Sequence, residues 1–324
     1  MNHRPLALFL VLSCVLAATA RADYVLGDYY ATSGDLGSQT VTHFSQIGAI
    51  LGTFQVASAA TAGGLKGVAY DPSNGLLYSG SSNANGNLTV VAFNSSGVIQ
   101  QTYTTASPTG GNISFEKITF DNSGNFYVGD GAGVHKFTVG VFNSGGVISN
   151  GTTNGAYDIK NGPNGDLIVA GDYDIKEITA AGAVVKNFKP AAGSPFLINV
   201  RGLAYDAGSN SLYVSMLGYT GETFQVEKFN YSTGALLAST TFTYADSLFL
   251  TSGGNLLVGS RTQAPALFDS NLNVIEQFAG AEQLFVTQAV PEPASLALLA
   301  LGSTLTIVAR RVVTTRKGRA GSPA

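Results

Sequence analysis

The chain has 324 residues, one cysteine, no tryptophan and a net charge of −3. Residues 23–290 hold ten Lys and Arg against 19 Asp and Glu, so this part is near −9. An acidic surface gives no support to nucleic-acid binding, which requires a basic face. Because Cys14 is the only cysteine, the chain after the first 22 residues has neither a disulfide nor a thiolate metal site. The low charge and the 40 glycines favour an all-β exported protein.

The first 22 residues predict a secretory signal peptide. Arg4 precedes an apolar run at 6–18, and a small-x-small site follows at 20–22. This order of a charged start, an apolar core and small residues is typical of a signal peptide, and we predict cleavage after Ala22. An alternative lipoprotein box at 11–14, with Cys14 as the lipidated residue, would leave a very short apolar region.

The middle of the chain repeats one pattern: an apolar strand, a turn of Asp, Asn, Ser and Gly, and a second apolar strand. This pattern is a hairpin signal. A third strand follows each hairpin and a fourth follows most of them, which predicts the four-stranded blade of a β-propeller. Five equivalent residues lie 49, 41, 45 and 44 positions apart: Leu77, Phe126, Leu167, Leu212 and Leu256.

The two ends of the repeat region predict a sixth, shared blade. Residues 24–28 have the pattern of a second strand without its first, and residues 283–287 that of a first strand without its second. Pairing them would close a ring and remove two exposed sheet edges. The alternative fold, a β-sandwich or β-solenoid, does not account for the four-strand repeat.

The hairpins carry a resemblance to known propellers. One example runs from Ala204-Tyr205-Asp206 to Leu212-Tyr213-Val214. Hairpins of this type resemble those of the NHL, YVTN and gluconolactonase-like propellers, and the resemblance covers most of residues 24–287. It implies the propeller fold and leaves the function open, because such propellers include hydrolases, binders and scaffolds.

The C-terminal 35 residues predict a sorting tail. Val290-Pro291-Glu292-Pro293 precedes an uncharged apolar stretch at 294–309, a predicted transmembrane helix, and a basic tail at 310–324. Arg310 and Arg311 would snorkel to the cytoplasmic interface. These parts in this order resemble the PEP-CTERM tail of Gram-negative bacteria. The resemblance implies a transient hold in the inner membrane, processing by an exosortase, and release or attachment at the cell surface. It also implies a context of exopolysaccharide and biofilm production.

The predicted domains are therefore a signal peptide at 1–22, a six-bladed propeller at 23–289 and the sorting tail at 290–324. Within the propeller, Asp28, Asp130 and Asp172 each follow a predicted second strand, in Leu-Gly-Asp, Val-Gly-Asp and Ala-Gly-Asp. Loops after second strands open at the face where propellers usually bind ligands. Three carboxylates there could hold Ca²⁺ through oxygen ligands, and repeated turn chemistry is the alternative interpretation.

Other polar residues of the repeat have structural interpretations. Asp71, Asp121 and Asp206 follow first strands, where an Asp hydrogen-bonds its own turn. His43 and His135 lie at dissimilar positions of predicted third strands and are expected to be face residues rather than metal ligands, because no further nitrogen or sulfur ligand lies near them.

No nucleophile elbow, Ser-x-x-Lys or phosphate-binding loop is followed by a helical pattern, so we predict no catalytic residues. The favoured function is a non-enzymatic surface protein that binds matrix polysaccharide or another surface protein. A Ca²⁺-dependent lactonase-like hydrolase that uses the three carboxylates is the alternative, and Ca²⁺ is the one cofactor they allow. Four tyrosines follow predicted second strands, where their rings could stack on sugars: Tyr29, Tyr30, Tyr173 and Tyr219.

We predict that the released protein ends near Val290 and stays folded, because processing near the Pro-Glu-Pro triplet removes only residues beyond the last predicted strand. Mass spectrometry of the cell-surface fraction checks the new C-terminus. Recovery of an intact 310–324 tail would show a simple membrane anchor instead.

Overall fold

The structure is a computed structural model. Within the described residues, no helix is long and apolar enough to cross a membrane. The predicted signal peptide, sorting motif and transmembrane helix lie outside them. The described residues are 24–35, 37–82, 88–105, 117–121, 123–130, 133–142, 147–148, 155–193, 197, 199–217, 224–280, 282–283 and 285–289.

Six four-stranded antiparallel sheets form the blades of a β-propeller, as the repeat predicts. The blades are numbered I to VI, and each is given from its inner to its outer strand. Blade I consists of β24 (Phe285–Gln288), β1 (Tyr29–Thr32), β2 (Thr40–Phe44) and β3 (Ile50–Gln55). Blade II consists of β4 (Lys66–Asp71), β5 (Leu76–Ser82), β6 (Leu88–Phe93) and β7 (Ile99–Thr104). Blade III consists of β8 (Ile118–Phe120), β9 (Asn125–Asp130), β10 (Gly133–Thr138) and β11 (Val147–Ile148).

The remaining three blades repeat this order. Blade IV consists of β12 (Asp158–Asn161), β13 (Leu167–Ala170), β14 (Ile175–Ile178) and β15 (Val184–Phe188). Blade V consists of β16 (Val200–Asp206), β17 (Ser211–Leu217), β18 (Phe224–Asn230) and β19 (Leu236–Thr241). Blade VI consists of β20 (Ala245–Leu250), β21 (Leu256–Ser260), β22 (Ala266–Phe268) and β23 (Val274–Gln277). Two 3₁₀ turns lie at Ala59–Thr61 and Pro163–Gly165.

The inner strand of each blade contacts the inner strands of both neighbouring blades, which places β4, β8, β12, β16, β20 and β24 around a central axis. All six run in the same sense. The ring therefore has an entry face, where inner strands begin and second strands end, and an exit face, where inner strands end. Loops from separate blades meet at the entry face, which is consequently the place to look for a site that no single blade could form.

The two ends of the propeller close the ring within blade I. β24 pairs with β1 in the register Tyr29↔Gln288 to Thr32↔Phe285. The predicted closure is confirmed, but the position of the second strand was wrong: it is Tyr29–Thr32 rather than 24–28. The reason is a turn before β1, in which Gly27 has a φ of +91° and N of Asp28 donates to O of Val25 at 3.2 Å.

Hydrophobic clusters fill the space between neighbouring blades, one for each of the six pairs. Second strands contribute to two clusters at once, because alternate side chains leave opposite faces of a strand. Ile168 and Ala170 of β13 pack towards blade V, whereas Leu167 and Val169 pack towards blade III. Strands buried on both faces read as continuous apolar runs, which is why the hairpins are visible in the sequence.

The Asp residues after first strands stabilise turns, as predicted. The carboxylate of Asp71 accepts from N of Ser73 at 2.9 Å, and that of Asp121 accepts from N of Asn125 at 2.9 Å. At Asp206, hydrogen bonds from the side chain and backbone of Ser209 hold the pKa of the carboxyl below its usual range. These repeated bonds define the turn between the first and second strands.

A buried carboxyl on the third strand of blade V makes the fold sensitive to pH. Glu227 is 1% exposed, and its Oε2 has no hydrogen-bond partner within the described part of the chain. It lies opposite Val214, which packs against blade IV. Burial raises the pKa of Glu227 to about 7. The folded protein therefore holds a proton that the unfolded chain releases between the ordinary pKa of 4.5 and neutrality.

We expect the wild-type protein to lose stability as pH rises through this window, and Glu227→Gln to remove that loss. The advantage of the variant over wild type should grow by about 3 kcal/mol between pH 4 and pH 8. Urea unfolding across this pH range measures it. Glu276→Gln is the control, because Glu276 lies on the exposed outer strand of blade VI. Equal pH profiles for wild type and Glu227→Gln would contradict the expectation.

Candidate functional site

Charged residues lie at the starts of inner strands around the entry face. Lys66 and Asp158 are the first residues of β4 and β12, Arg201 and Asp246 are the second residues of β16 and β20, and Lys117 directly precedes β8. The pairing places them at one level: Lys66 lies opposite Gly80 and Asp158 opposite Ala170, each near the end of a second strand. Five blades thus contribute one charged residue each to the mouth of the central channel.

Lys117 crosses the channel. Its ammonium group donates to the backbone oxygens of Arg201 and Asp246, which belong to blades V and VI, and its Nζ lies 3.5 Å from Oδ2 of Asp158 in blade IV. Blade VI stands directly opposite blade III in a ring of six. The side chain is only 5% exposed, so the lysine ties four blades together in a nearly dry environment.

The carboxylate of Asp158 is buried completely and accepts from several donors. Its Oδ2 accepts from N of Leu203 at 2.6 Å, and its Oδ1 lies 3.0 Å from Nζ of Lys160. Together with Lys117 these donors compensate for the loss of water, which a buried carboxylate requires.

Asp246 is the second buried carboxylate of the mouth, with its side chain 3% exposed. Its Oδ2 lies 3.2 Å from Nε of Arg261, an ion pair rather than a well-aligned hydrogen bond. Burial raises the pKa of the Asp246 carboxyl, and the positive charges of Arg261, Lys117 and Arg201 oppose that rise. Three cations from three blades therefore surround this one carboxylate.

A groove opens on the entry face between blades IV and V. Its cavity volume is about 620 Å³, within the usual range for small-molecule sites. The loop after β13 and the segment after β15 form its walls. Tyr173 is 54% exposed, Asp174 and Lys176 form an ion pair at 3.1 Å, and the exposed Asn187 lies opposite Lys176 on β14. An aromatic ring, an ion pair and an amide thus share one concave surface.

Contacts with blade V hold the floor and one wall of this groove. Phe188 lies in the floor and stacks on Tyr231 of blade V, with ring centroids 5.9 Å apart and planes at 3°. The hydroxyl of Tyr231 donates to Glu177 of blade IV at 2.7 Å. N of Ala191 in the wall donates to O of Gly234 in a turn of blade V at 2.8 Å. A ligand would therefore meet a preformed surface.

The structure places the three predicted carboxylates at different ends of their strands. Asp172 follows β13 at the entry face, whereas Asp28 precedes β1 and so lies at the exit face. Asp130 ends β9 at the entry face, and its side chain is outside the described part. No group of three His, Cys, Asp or Glu side chains suited to a metal occurs among the described residues. The structure does not bring Asp28 and Asp172 together, and the Ca²⁺ set stays a prediction.

Asp28 instead pairs with a histidine. Its Oδ2 lies 2.8 Å from Nε2 of His43, whose ring stacks on Tyr30 with centroids 4.6 Å apart. Tyr29 and Tyr30 are 5% and 2% exposed, so neither ring can stack on a sugar. Of the four predicted tyrosines only Tyr173 is exposed within the described residues, and Tyr219 lies outside them.

Sequence reasoning missed the charged residues of the channel mouth. Their signal was a Lys, Arg or Asp at the start of a first strand, as in Lys66-Gly67-Val68 and Arg201-Gly202-Leu203. The apolar residues and the turns of the repeat indicate the blades, whereas a single charge before an apolar strand does not by itself indicate a site.

Comparison with known proteins supports both parts of the chain. Residues 289–312 match the family model for the PEP-CTERM protein-sorting motif. The chain carries a PEP-CTERM sorting motif. This motif implies export, sorting to the cell surface and processing by an exosortase, in agreement with the prediction from 290–293.

Two solved structures have the same fold. A chain from the nidogen–laminin complex superposes with a TM-score of 0.60 at 13% identity, over 82% of this chain and 99% of that chain. A functionally unknown protein from Desulfotomaculum acetoxidans gives a TM-score of 0.51 at 15% identity, over 83% and 90%. At such identities the likeness shows the fold alone. No curated protein matches the sequence significantly.

Removing the ammonium group of Lys117 should destabilise the propeller strongly. We expect Lys117→Met to lower the free energy of unfolding by about 3–5 kcal/mol, because a buried carboxylate loses one of its cations. The control is Lys136→Met in the same blade, where the ammonium lies 5.6 Å from the ring centroid of Tyr127 and about 1 kcal/mol is expected. Chemical denaturation measures both, and similar losses for the two variants would refute a special role for Lys117.

Proposed function

We propose that this chain is an exported surface protein whose propeller binds matrix polysaccharide in the groove between blades IV and V, without catalysing a reaction. The groove with the exposed ring of Tyr173 carries the proposal. Aromatic rings with a polar edge are favoured contact residues at binding surfaces. The Asp174–Lys176 pair and the amide of Asn187 are hydrogen-bonding groups of the kind that sugar hydroxyls need.

The proposal includes a route to the surface. Residues 294–309 would hold the protein in the inner membrane transiently, with Arg310 and Arg311 on the cytoplasmic side, until an exosortase acts near Pro291-Glu292-Pro293. The pairing that closes the ring supports this order of events. O of Ala289 accepts from N of Gly27 at 2.6 Å. Among the described residues this is the last paired one, and it precedes Val290-Pro291-Glu292-Pro293, so processing there would leave the ring complete.

A polysaccharide produced in the same context as the sorting system is the expected ligand. Exosortase substrates of this kind are associated with exopolysaccharide and biofilm production, as the resemblance of the tail implies. The groove is open at the surface, which suits a polymer that enters from the side. It also has aromatic, charged and amide groups on one concave surface, and such variety suits a glycan better than an apolar ligand.

We expect Tyr173→Ala to weaken binding to the producing cell's own exopolysaccharide about tenfold, which corresponds to a stacking contribution of about 1.4 kcal/mol. Tyr173→Phe is the matched control, because it keeps the ring and removes only the hydroxyl. Biolayer interferometry with the exported protein gives the dissociation constants. Undiminished binding by Tyr173→Ala would exclude the groove. If the wild-type protein binds neither that polysaccharide nor any glycan on an array, the proposed function is excluded.

A further inference from the structure

Cations concentrate at the channel mouth of a domain that is acidic elsewhere. Residues 23–290 contain ten Lys and Arg in total. Five of these ten lie on inner strands, beside them or at the end of a second strand. Lys66, Lys117, Arg201 and Arg261 are at the entry face, and Lys160 lies further along β12 with its ammonium paired to Asp158.

The described carboxylates at the mouth do not fully neutralise this group of cations. Asp158 is engaged by Lys117 and Lys160, and Asp246 by Arg261. Asp172 also lies at the entry face, so five cations face three carboxylates among the described residues, and two positive charges remain in excess there. Exposed charges further away than a Debye length of about 8 Å are screened at physiological salt. The local excess thus decides what binds here, rather than the overall charge of the domain.

Two guanidinium groups at the mouth keep donors for a ligand. The side chain of Arg261 is 56% exposed, and within the described part of the chain it uses only its Nε, on Asp246, which leaves the N–H groups of both terminal nitrogens. Arg201 lies over the ring of Tyr157 at 4.6 Å, and it has no carboxylate partner among the described residues. Stacking on a ring leaves the edge of a guanidinium free to donate. Both charges act on the carboxyl of Asp246, so they border one site.

We propose that the channel mouth binds a carboxylate-bearing sugar residue, and that Arg201 and Arg261 hold the carboxylate. The planar fork of a guanidinium matches the two oxygens of a carboxylate in a bidentate pair. Lys66 and Lys117 add positive charge at the same level of the ring. The structure supplies a platform as well, since the Arg201 guanidinium lies over the ring of Tyr157.

This site joins the groove at one point. N of Val200, the residue before Arg201, donates to O of Asp172, the residue before Tyr173, at 3.2 Å. An extended acidic polysaccharide could therefore contact the groove with one sugar and the channel mouth with another. The inference rests on the proposed function in taking a glycan as ligand, and it narrows that ligand to an acidic one.

The test is calorimetry of the exported full-length protein in detergent with trigalacturonate as the probe. We expect binding that weakens as NaCl rises from about 50 to about 500 mM, since charge pairs are screened. Arg261→Gln should weaken binding at least about tenfold, because one fork of the site is lost, and the double substitution of Arg201 and Arg261 by Gln should abolish it. Lys136→Gln is the control, because it removes the same charge from the third strand of blade III.

Further arms separate the outcomes. The methyl ester of trigalacturonate has no carboxylate, and equal binding of the ester and the acid would overturn the inference. Arg261→Lys keeps the charge beside Asp246 but loses the fork, so it should bind as weakly as Arg261→Gln while unfolding at the wild-type temperature. If the exopolysaccharide binds through Tyr173 and trigalacturonate does not bind, this inference falls and the proposed function stands. If neither binds, both fall.

Discussion

The pairing of β24 with β1 is the constraint on which the rest of the propeller depends. Each blade is buried only because it has a neighbour on both sides, and blade I has its inner strand from the far end of the chain. Without this strand the ring would end in exposed sheet edges, and the clusters on both sides of blade I would lose Phe285 and Val286. Hydrophobic burial between blades and closure of the chain are therefore one cooperative event.

The candidate sites are consequences of that closure. Lys117 can reach blades V and VI only if the ring brings opposite inner strands together. The groove exists because Phe188 stacks on a ring of the next blade. A buried charge at the mouth destabilises the fold when its partner is missing. Because Lys117, Asp158 and Asp246 belong to different blades, losing one member of this network would destabilise several blades together.

The charge of this protein is arranged at two scales. The exported part is acidic overall, which favours solubility, while its cations gather where the inner strands begin. A ligand at the mouth meets the cations within a few ångströms, and screening by salt weakens the acidic surface further away. The propeller gives way directly to the sorting motif along the chain, because the last paired residue among those described is Ala289 and the sorting match spans 289–312.

The sequence by itself determined the number of blades, the hairpins, the closing of the ring and the sorting motif. Each of these follows from a local residue pattern or from the fixed spacing of the repeat. Strands such as β13 are apolar on both faces, so they can be recognised in the sequence as continuous apolar runs. The sequence misplaced the second strand of blade I, since the turn at Gly27 depends on a φ of +91° that a run of apolar residues did not reveal.

Only the tertiary structure decided which polar residues meet. Asp28 and Asp172 are the last residues of similar tripeptides, yet they lie at opposite faces because one precedes its strand and the other follows it. The charged residues of the channel mouth are far apart in sequence and share one site, because the ring brings the starts of all inner strands together. A local sequence pattern does not reveal that such distant residues lie close together in space.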